Sequence, residues 1–301
     1  MATAQEAAPP HPSPVPVDDF ELRSVIVDEL RAASRAARDA STQSGRQAKA
    51  VHEFRKALRR ARAVLALVQE ALPRDARKAA REALRDARRA VGAARDQVVA
   101  PETLGLLSLG DEEREMALAV LGAAAGAVPP ASDIEIALAE GAARAAAEVE
   151  VVEAALPPTL DWPTIVAGLE AEYRRARRAR RAAKRSRSAF HSWRRRTKEL
   201  AHQLDLIARY SGPKVLALRD ELAAVVDTQT EAVDLIMLRK LVRAHATDEQ
   251  RERLVAAIDA ELAPRMKVSR KAGRDAFRRK PGQITRRTLR AVRGLGPDAE
   301  A

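Results

Sequence analysis

The sequence predicts an all-α protein, organised as two related helical bundles in tandem. Three observations carry that reading. Aromatic residues are only 3% of the 301 residues while apolar residues reach 46%, so the core must be aliphatic and alanine-rich. Sandwiches and barrels draw on many β-branched and aromatic positions, and they lose most of their weight here. Proline and glycine mostly fall in gaps between long segments rich in Ala, Leu, Arg and Glu, which are strong helix formers. Two of those segments repeat each other at a fixed offset. The length suits one large domain or two ordinary ones, enough to bury a core without covalent staples.

Residues 1–17 hold five of the sixteen prolines and no apolar period, which predicts a disordered tail. They lack the basic start and apolar run of a signal peptide. Helices are then expected at roughly 18–42, 46–72, 74–99, 110–127, 132–156, 162–186, 188–211, 214–243 and 247–279. The gaps are marked near Gly45, Pro73, Pro101, Pro129–Pro130, Pro157, Gly212–Pro213 and Pro281–Gly282. The first repeat is placed at about 18–156 and the second at about 159–293, with 294–301 a short tail. Short connections between long amphipathic segments favour antiparallel packing. No stretch approaches the roughly 18 consecutive apolar residues of a membrane span, so a cytoplasmic protein without membrane contact is expected.

The segment after Gly45 can be laid out at about 100° per residue. With His52 at zero, Phe54, Leu58, Ala61, Leu65, Val68 and Leu72 fall between about 160° and 240°, while Arg55, Arg59 and Arg62 join His52 between about 280° and 360°. The helix therefore carries an apolar stripe and a displaced basic stripe. The segment at 188–211 has the same layout. Trp193, Leu200, Leu204 and Ile207 are apolar, and His191, Arg194 and Lys198 are basic. A shift of 139 residues places His52 on His191, Phe54 on Trp193, Arg55 on Arg194 and Arg59 on Lys198. A period this long is not a solenoid repeat; it points to two related bundles.

The charge is concentrated. Lys and Arg number 54 against 42 Asp and Glu, a net +12. The stretch from Glu172 to Lys198 alone holds thirteen basic residues and one acidic residue, so the rest of the chain is neutral. Smaller excesses sit at Arg46–Arg62 and Arg265–Arg287. Such a balance favours a polyanionic partner. Like charges on one helix destabilise it, and an anion would offset the repulsion. The chain has no cysteine, which removes disulfides, thiolate metal sites and thiol nucleophiles. Its five histidines show no metal-binding spacing, and there is no Walker loop, nucleophile elbow or GxGxxG motif. A non-enzyme without metal or cofactor is expected.

The runs VHEFRKALRRARAVL (51–65) and FHSWRRRTKELAHQL (190–204) resemble the histidine-led motif of CHAD domains, the conserved-histidine α-helical domains. GAARDQVV at 92–99 resembles the Arg-Asp segment that follows the first motif helix. EYRRARRAR at 172–180 is similar to the approach to the second, and GRDAFRRKPGQI at 273–284 to the closing helix. The second Arg-Asp-like segment, AAVVDTQTEAV at 223–233, keeps Asp227 but not the preceding glycine. The resemblance covers roughly 18–293. It implies an all-α fold of two tandem pseudo-symmetric four-helix bundles of long antiparallel helices. It also implies non-catalytic binding of inorganic polyphosphate along basic helix faces and the groove between bundles, with association to polyphosphate granules as an extension. Some relatives carry a triphosphatase domain as well; no Glu-x-Glu-x-Lys run is present, and a stand-alone member is expected.

The candidate polyphosphate contacts are His52, Arg55, Arg59 and Arg62 from the first motif helix, and His191, Arg194 and Lys198 from the second. Arg174, Arg178 and Arg181 join them from the basic run, and Lys271, Arg274 and Arg278 from the closing segment. Arginine can donate two parallel hydrogen bonds to phosphate oxygens, and cations at +3 and +7 succeed one another about every 5 Å along a helix. Asp96 and Asp227 are expected to orient arginines. The alternative function is sequence-independent binding to duplex nucleic acid, whose backbone contacts require only charge. Single-strand binding has few aromatics to stack bases on, and a degenerate phosphohydrolase lacks a visible metal-carboxylate cluster.

Overall fold

The computed structural model describes residues 19–43, 45–125 and 129–294. The expected tail at 1–17 lies outside them, as does all of 294–301 except Gly294. The described residues form eleven helices and no strand. They are α1 (Asp19–Ser41), α2 (Gln47–Leu67), α3 (Arg74–Ala90), α4 (Gly92–Leu104), α5 (Asp111–Ala125), α6 (Ala131–Ala155), α7 (Trp162–Ala182), α8 (Arg187–Ala208), α9 (Pro213–His245), α10 (Asp248–Ala276) and α11 (Pro281–Val292).

In the first half, α1, α2, α3 and α6 pack together; in the second, α7 to α10 pack in succession and α11 closes on α7 and α9. The halves are joined because α2 packs on both α7 and α8, and because α4 and α5 lean across onto α9. Phe54, Leu58 and Leu65 of α2 and Trp193, Leu200 and Leu204 of α8 are all buried, as the apolar stripes require. Several hydrogen-bonded pairs lie 139–141 residues apart: Arg95 Nη2 to Asp234 Oδ1 at 2.9 Å, Gln203 Nε2 to the Ala63 carbonyl at 3.0 Å, and Arg253 Nη1 to Glu112 Oε1 at 2.7 Å. Equivalent or near-equivalent positions of the repeat therefore meet face to face, which is what a local twofold relation produces.

Helix starts follow from local chemistry. Asp161 accepts from the Thr164 amide at 2.9 Å at the start of α7, and Ser186 accepts from the Ala189 amide at 3.1 Å at the start of α8. Thr247 and Gln250 form a reciprocal capping box on α10. Each satisfies an amide that has no partner within its helix.

Three helix boundaries differ from expectation. The segment expected as one helix over 74–99 is interrupted at Val91 and restarts as α4. At the break the Arg88 carbonyl, near the C-terminus of α3, accepts a 3.0 Å hydrogen bond from Arg55 Nη1, so a side chain from α2 replaces a helical donor. Pro101, read as a gap, lies inside α4. Pro281, expected in a gap, instead opens α11, where a fixed φ and a missing N–H cost nothing in the first turn.

A buried ion network ties α2, α7 and α8 together. The Glu172 side chain, 1% exposed, pairs with Arg175 and lies 3.4 Å from Arg196 Nη1. Arg196 also reaches Glu199 at 3.2 Å, and Glu199 holds Arg62 at 2.9 Å. Where α2 ends, Gly168 of α7 comes so close that a Cβ there would lie 2.1 Å from the Leu67 carbonyl oxygen. Any other residue would push these helices apart.

Candidate functional site

The basic stripes of α2 and α8 converge because the two helices pack on each other through the faces next to them. Arg55 and Arg59 come from α2, and His191, Arg194 and Lys198 from α8. Arg88 joins them from α3 and Arg95 from α4. All are half-buried. Arg195, on the same side of α8, is exposed and adds its field to His191 and Arg88.

The electrostatics show how crowded this cluster is. Burial, then the charge of Arg59, Arg194 and Arg95, pushes the Lys198 ammonium down to about 8. Burial, then Arg194 and Arg55, brings the Arg59 guanidinium down to about 10. Arg55 is likewise lowered to about 10, by burial and then by Arg88 and Arg95. Burial lowers Arg194, Arg195 and Arg88 as well. His191 falls below its ordinary value through burial and the neighbouring Arg195 and Arg194, which favours its neutral form. Burial is the largest cause of each shift, and the neighbouring cations add to it; an anion entering the cluster would relieve that second, cationic part. His191 Nδ1, Arg88 Nε and Arg194 Nε are buried without a hydrogen-bond partner among the described residues.

One arginine anchors the cluster. Burial opposes the charge on Arg95, but hydrogen bonds to Asp234 (2.9 Å) and Asp96 (3.0 Å) outweigh it and raise its pKa. Asp96 thus orients an arginine as expected. Asp227 does not take that role: it is exposed, about two helical turns before Asp234 on α9, and Asp234 supplies the second carboxylate. Behind Arg95 a cavity of about 210 Å³ opens between α4 and α9, with Val99, Ala100, Met237 and Leu241 among its walls.

The thirteen expected contacts separate into four groups. Arg55, Arg59, His191, Arg194 and Lys198 meet in the cluster. Arg62 lies beside it, with its side chain 15% exposed, and is held by Glu199 in the buried network. His52, the repeat partner of His191, stands out of the cluster with a side chain 73% exposed and Glu53 as its near neighbour at 4.0 Å. Arg174, Arg178 and Arg181 on α7, with Lys271, Arg274 and Arg278, are exposed on a different face. Arg174 pairs there with Glu170, and Arg278 lies 3.8 Å from Glu221.

Sequence reasoning missed Arg88, Arg95, Arg195 and Asp234. Two signals were available. Arg81, Arg88 and Arg95 are spaced seven apart across α3 and α4, a helical stripe whose members neighbour Arg62 and Arg55. The 139-residue shift carries Arg95 onto Asp234, the residue it bonds.

Fold and cluster together define an all-helical protein of two intimately packed halves, with cations gathered where the motif helices of the halves touch. The chain belongs to the CHAD domain family, whose model matches residues 26–243. Among solved structures it is similar to the CHAD domain from the plant Ricinus communis, at 17% identity and a TM-score of 0.58, over 94% of this chain and 96% of that one. No curated protein matches its sequence.

Proposed function

We propose that this chain binds inorganic polyphosphate, without cleaving it, through the cation cluster between α2 and α8. The observation that carries the reading is the set of half-buried bases at one seam, Arg55, Arg59, Arg194 and Lys198, all held below their ordinary pKa by burial first and then by neighbouring arginines, Arg95 among them in every case. A phosphate chain carries closely spaced charges and no bases or sugars, so it asks for cations in register on a rigid frame. Guanidinium forks on packed helices meet that demand. Membership of a family in which polyphosphate binders occur supports the same reading. Asp96 and Asp234 are both engaged with Arg95, which suits an anchoring role for them and not proton transfer. Association with polyphosphate granules would be the cellular expression of this binding.

A competition titration tests it. Labelled long-chain polyphosphate is bound at near-physiological salt, then displaced by unlabelled polyphosphate, duplex DNA, RNA or heparin. Polyphosphate is expected to compete best at matched phosphate concentration, and its length distribution on a gel is expected to stay unchanged. Equal displacement by duplex DNA would replace this reading with general nucleic-acid binding. Shortening of the polymer would make the protein an enzyme.

A further inference from the structure

The exposed cations of α7 and α10 form a surface of their own. Arg174, Arg178, Arg181 and Arg185 succeed one another at +4, +7 and +11, and Lys267, Lys271, Arg274 and Arg278 do the same. Within the helices, Arg174, Arg178 and Arg181 of α7 and Lys267, Lys271 and Arg274 of α10 each occupy an arc of about 60° at about 100° per residue, so each is one row on one face, with Arg185 and Arg278 just past the helix ends. The rows run side by side and antiparallel. Arg270 Nη2 donates to the Ala183 carbonyl at 3.1 Å, a Cβ on Gly273 would lie 3.5 Å from the Arg180 side chain, and the Phe277 ring sits 5.4 Å from that of Tyr173. Arg274 is near enough to act on Arg180. The helical part of each row extends about 10 Å.

This strip lies behind the cluster. On α8, Trp193 points about 160° away from His191, and its buried indole packs where a Gly273 Cβ would fall, 2.2 Å from the ring. α10 therefore covers the face of α8 opposite the one that carries His191 and Lys198. Along the strip, Arg178, Arg181, Lys267, Lys271 and Arg274 are exposed and have no ion-pair partner among the described residues. The bordering carboxylates Glu170 and Glu221 are engaged by Arg174 and Arg279, and Asp275 is the exposed acid beside the α10 row. Tyr173, Trp193 and Phe277 all face inward and are buried. The strip thus offers charge without a platform for stacking bases.

We propose that the α7–α10 strip is a second polyphosphate-binding surface, and that one chain uses the strip and the α2–α8 cluster together to bridge two polyphosphate strands. The identity of the polymer rests on the function proposed above; the second surface rests on the five unpaired cations of the two rows. Two sites facing opposite ways cannot be served by one short strand, so their joint occupancy links strands and condenses the polymer.

Donor- and acceptor-labelled long-chain polyphosphates, mixed with the full chain, give the readout. Energy transfer and light scattering are expected to rise with protein and to fall again when protein exceeds strands. A strip variant, Arg178→Ala/Arg181→Ala/Lys271→Ala/Arg274→Ala, is expected to keep single-strand affinity by anisotropy within about threefold while bridging falls about tenfold or more. A cluster variant, Arg59→Ala/Arg194→Ala, also loses bridging but loses affinity with it. The strip substitutions are at exposed positions, and circular dichroism checks that helicity is kept. Bridging that survives in the strip variant would overturn the proposal, because dimerisation or the cluster alone would then account for it. Single-strand binding by the wild type without bridging overturns the second surface and leaves the first intact. No binding at all removes both readings. Preferential capture of duplex DNA by the strip would reassign it to nucleic acid.

Discussion

Raising the pH from 7 to 9 should weaken polyphosphate binding through Lys198. In the free protein its ammonium is pushed down to about 8 by burial, then by Arg59 of α2, Arg194 of α8 and Arg95 of α4, with Asp234 of α9 opposing. A bound phosphate adds negative charge beside it and restores the charged form. Binding is then coupled to proton uptake: affinity is greatest while the free amine is already protonated and is lost as pH rises through about 8. If the bound amine stays charged, the protonated fraction of the free protein falls from about nine-tenths to about one-tenth across this window, and affinity falls roughly tenfold. His191 is already lowered by burial and by Arg195, so it contributes little above pH 7, and Arg55 and Arg59 titrate higher, at about 10. Anisotropy titrations at fixed ionic strength measure the fall, and calorimetry in two buffers of different ionisation enthalpy counts the proton. Lys198→Arg should hold affinity and flatten the profile, and Lys198→Met should lower affinity at pH 7 and also flatten it. A flat wild-type profile, or the same fall in the Met variant, would refute the reasoning. The stability of the free protein runs the other way. A folded pKa below the usual 10.5 is a cost to the folded state at pH 7 that is relieved as pH rises from about 8 toward 10.5.

Arg55→Ala/Arg59→Ala/Arg194→Ala should weaken binding far more per charge than Arg35→Ala/Arg243→Ala, two exposed arginines with no ion-pair partner among the described residues; the salt slope should drop by roughly 0.7–0.9 per lost phosphate contact, taking nucleic acids as the guide. Equal loss in both sets would reduce the cluster to diffuse attraction. Glu172→Gln should destabilise the fold by about 1.5–3 kcal/mol in chemical denaturation, since it removes the buried carboxylate shared by Arg175 and Arg196 while Arg196 keeps Glu199 and Arg175 keeps Gln69; a change below about 0.5 kcal/mol would show that the network is dispensable. Gly168→Ala should cost at least the roughly 1–3 kcal/mol of an overpacked core, because the added carbon meets the backbone of Leu67 at 2.1 Å and not a side chain that can swing away. A neutral result would mean that α2 and α7 separate freely.

The helical class and the two motif helices were legible in the sequence because the phase of a helix is a local property. His52, Phe54 and Arg55 determine where the α2 stripes lie, and the 139-residue shift transfers the same layout to α8. The break at Val91 was not legible, because what stabilises it is remote: the guanidinium of Arg55, 33 residues back along the chain from Arg88, caps a carbonyl there. Proline misled in both directions, since Pro101 is carried inside α4 while Pro281 begins α11. The site was legible as a set of residue types but not as a partition. Arg174, Arg178 and Arg181 belong to the same charge excess as Arg194 and Lys198, and Lys271 and Arg274 to the smaller one at Arg265–Arg287, yet helix packing sends all five to the opposite side of α8. His52 and His191 are equivalent in register, and only His191 is turned into the seam, because the partners around the two histidines differ.

Charge count could not distinguish arginines that build the frame from arginines left over by it. Arg62, Arg175, Arg196 and Arg95 each hold buried or half-buried carboxylates, and truncating either side would leave an isolated charge in the interior. These pairs fix α2, α4, α7, α8 and α9 relative to one another. Within the frame they make, Arg55, Arg59, Arg194 and Lys198 are crowded into partial burial without carboxylates of their own to match. A protein selected for stability alone would thin out such a set or pair it, because every member raises the cost of its neighbours. Retaining it on a rigid support makes sense where an outside anion completes the pairing, and rigidity then favours binding because little order remains to be imposed when the anion arrives. The strip on α7 and α10 follows the opposite design. Its cations are exposed, mutually screened by water and cheap to keep, which suits a surface that gathers or links strands more than one that holds a strand tightly.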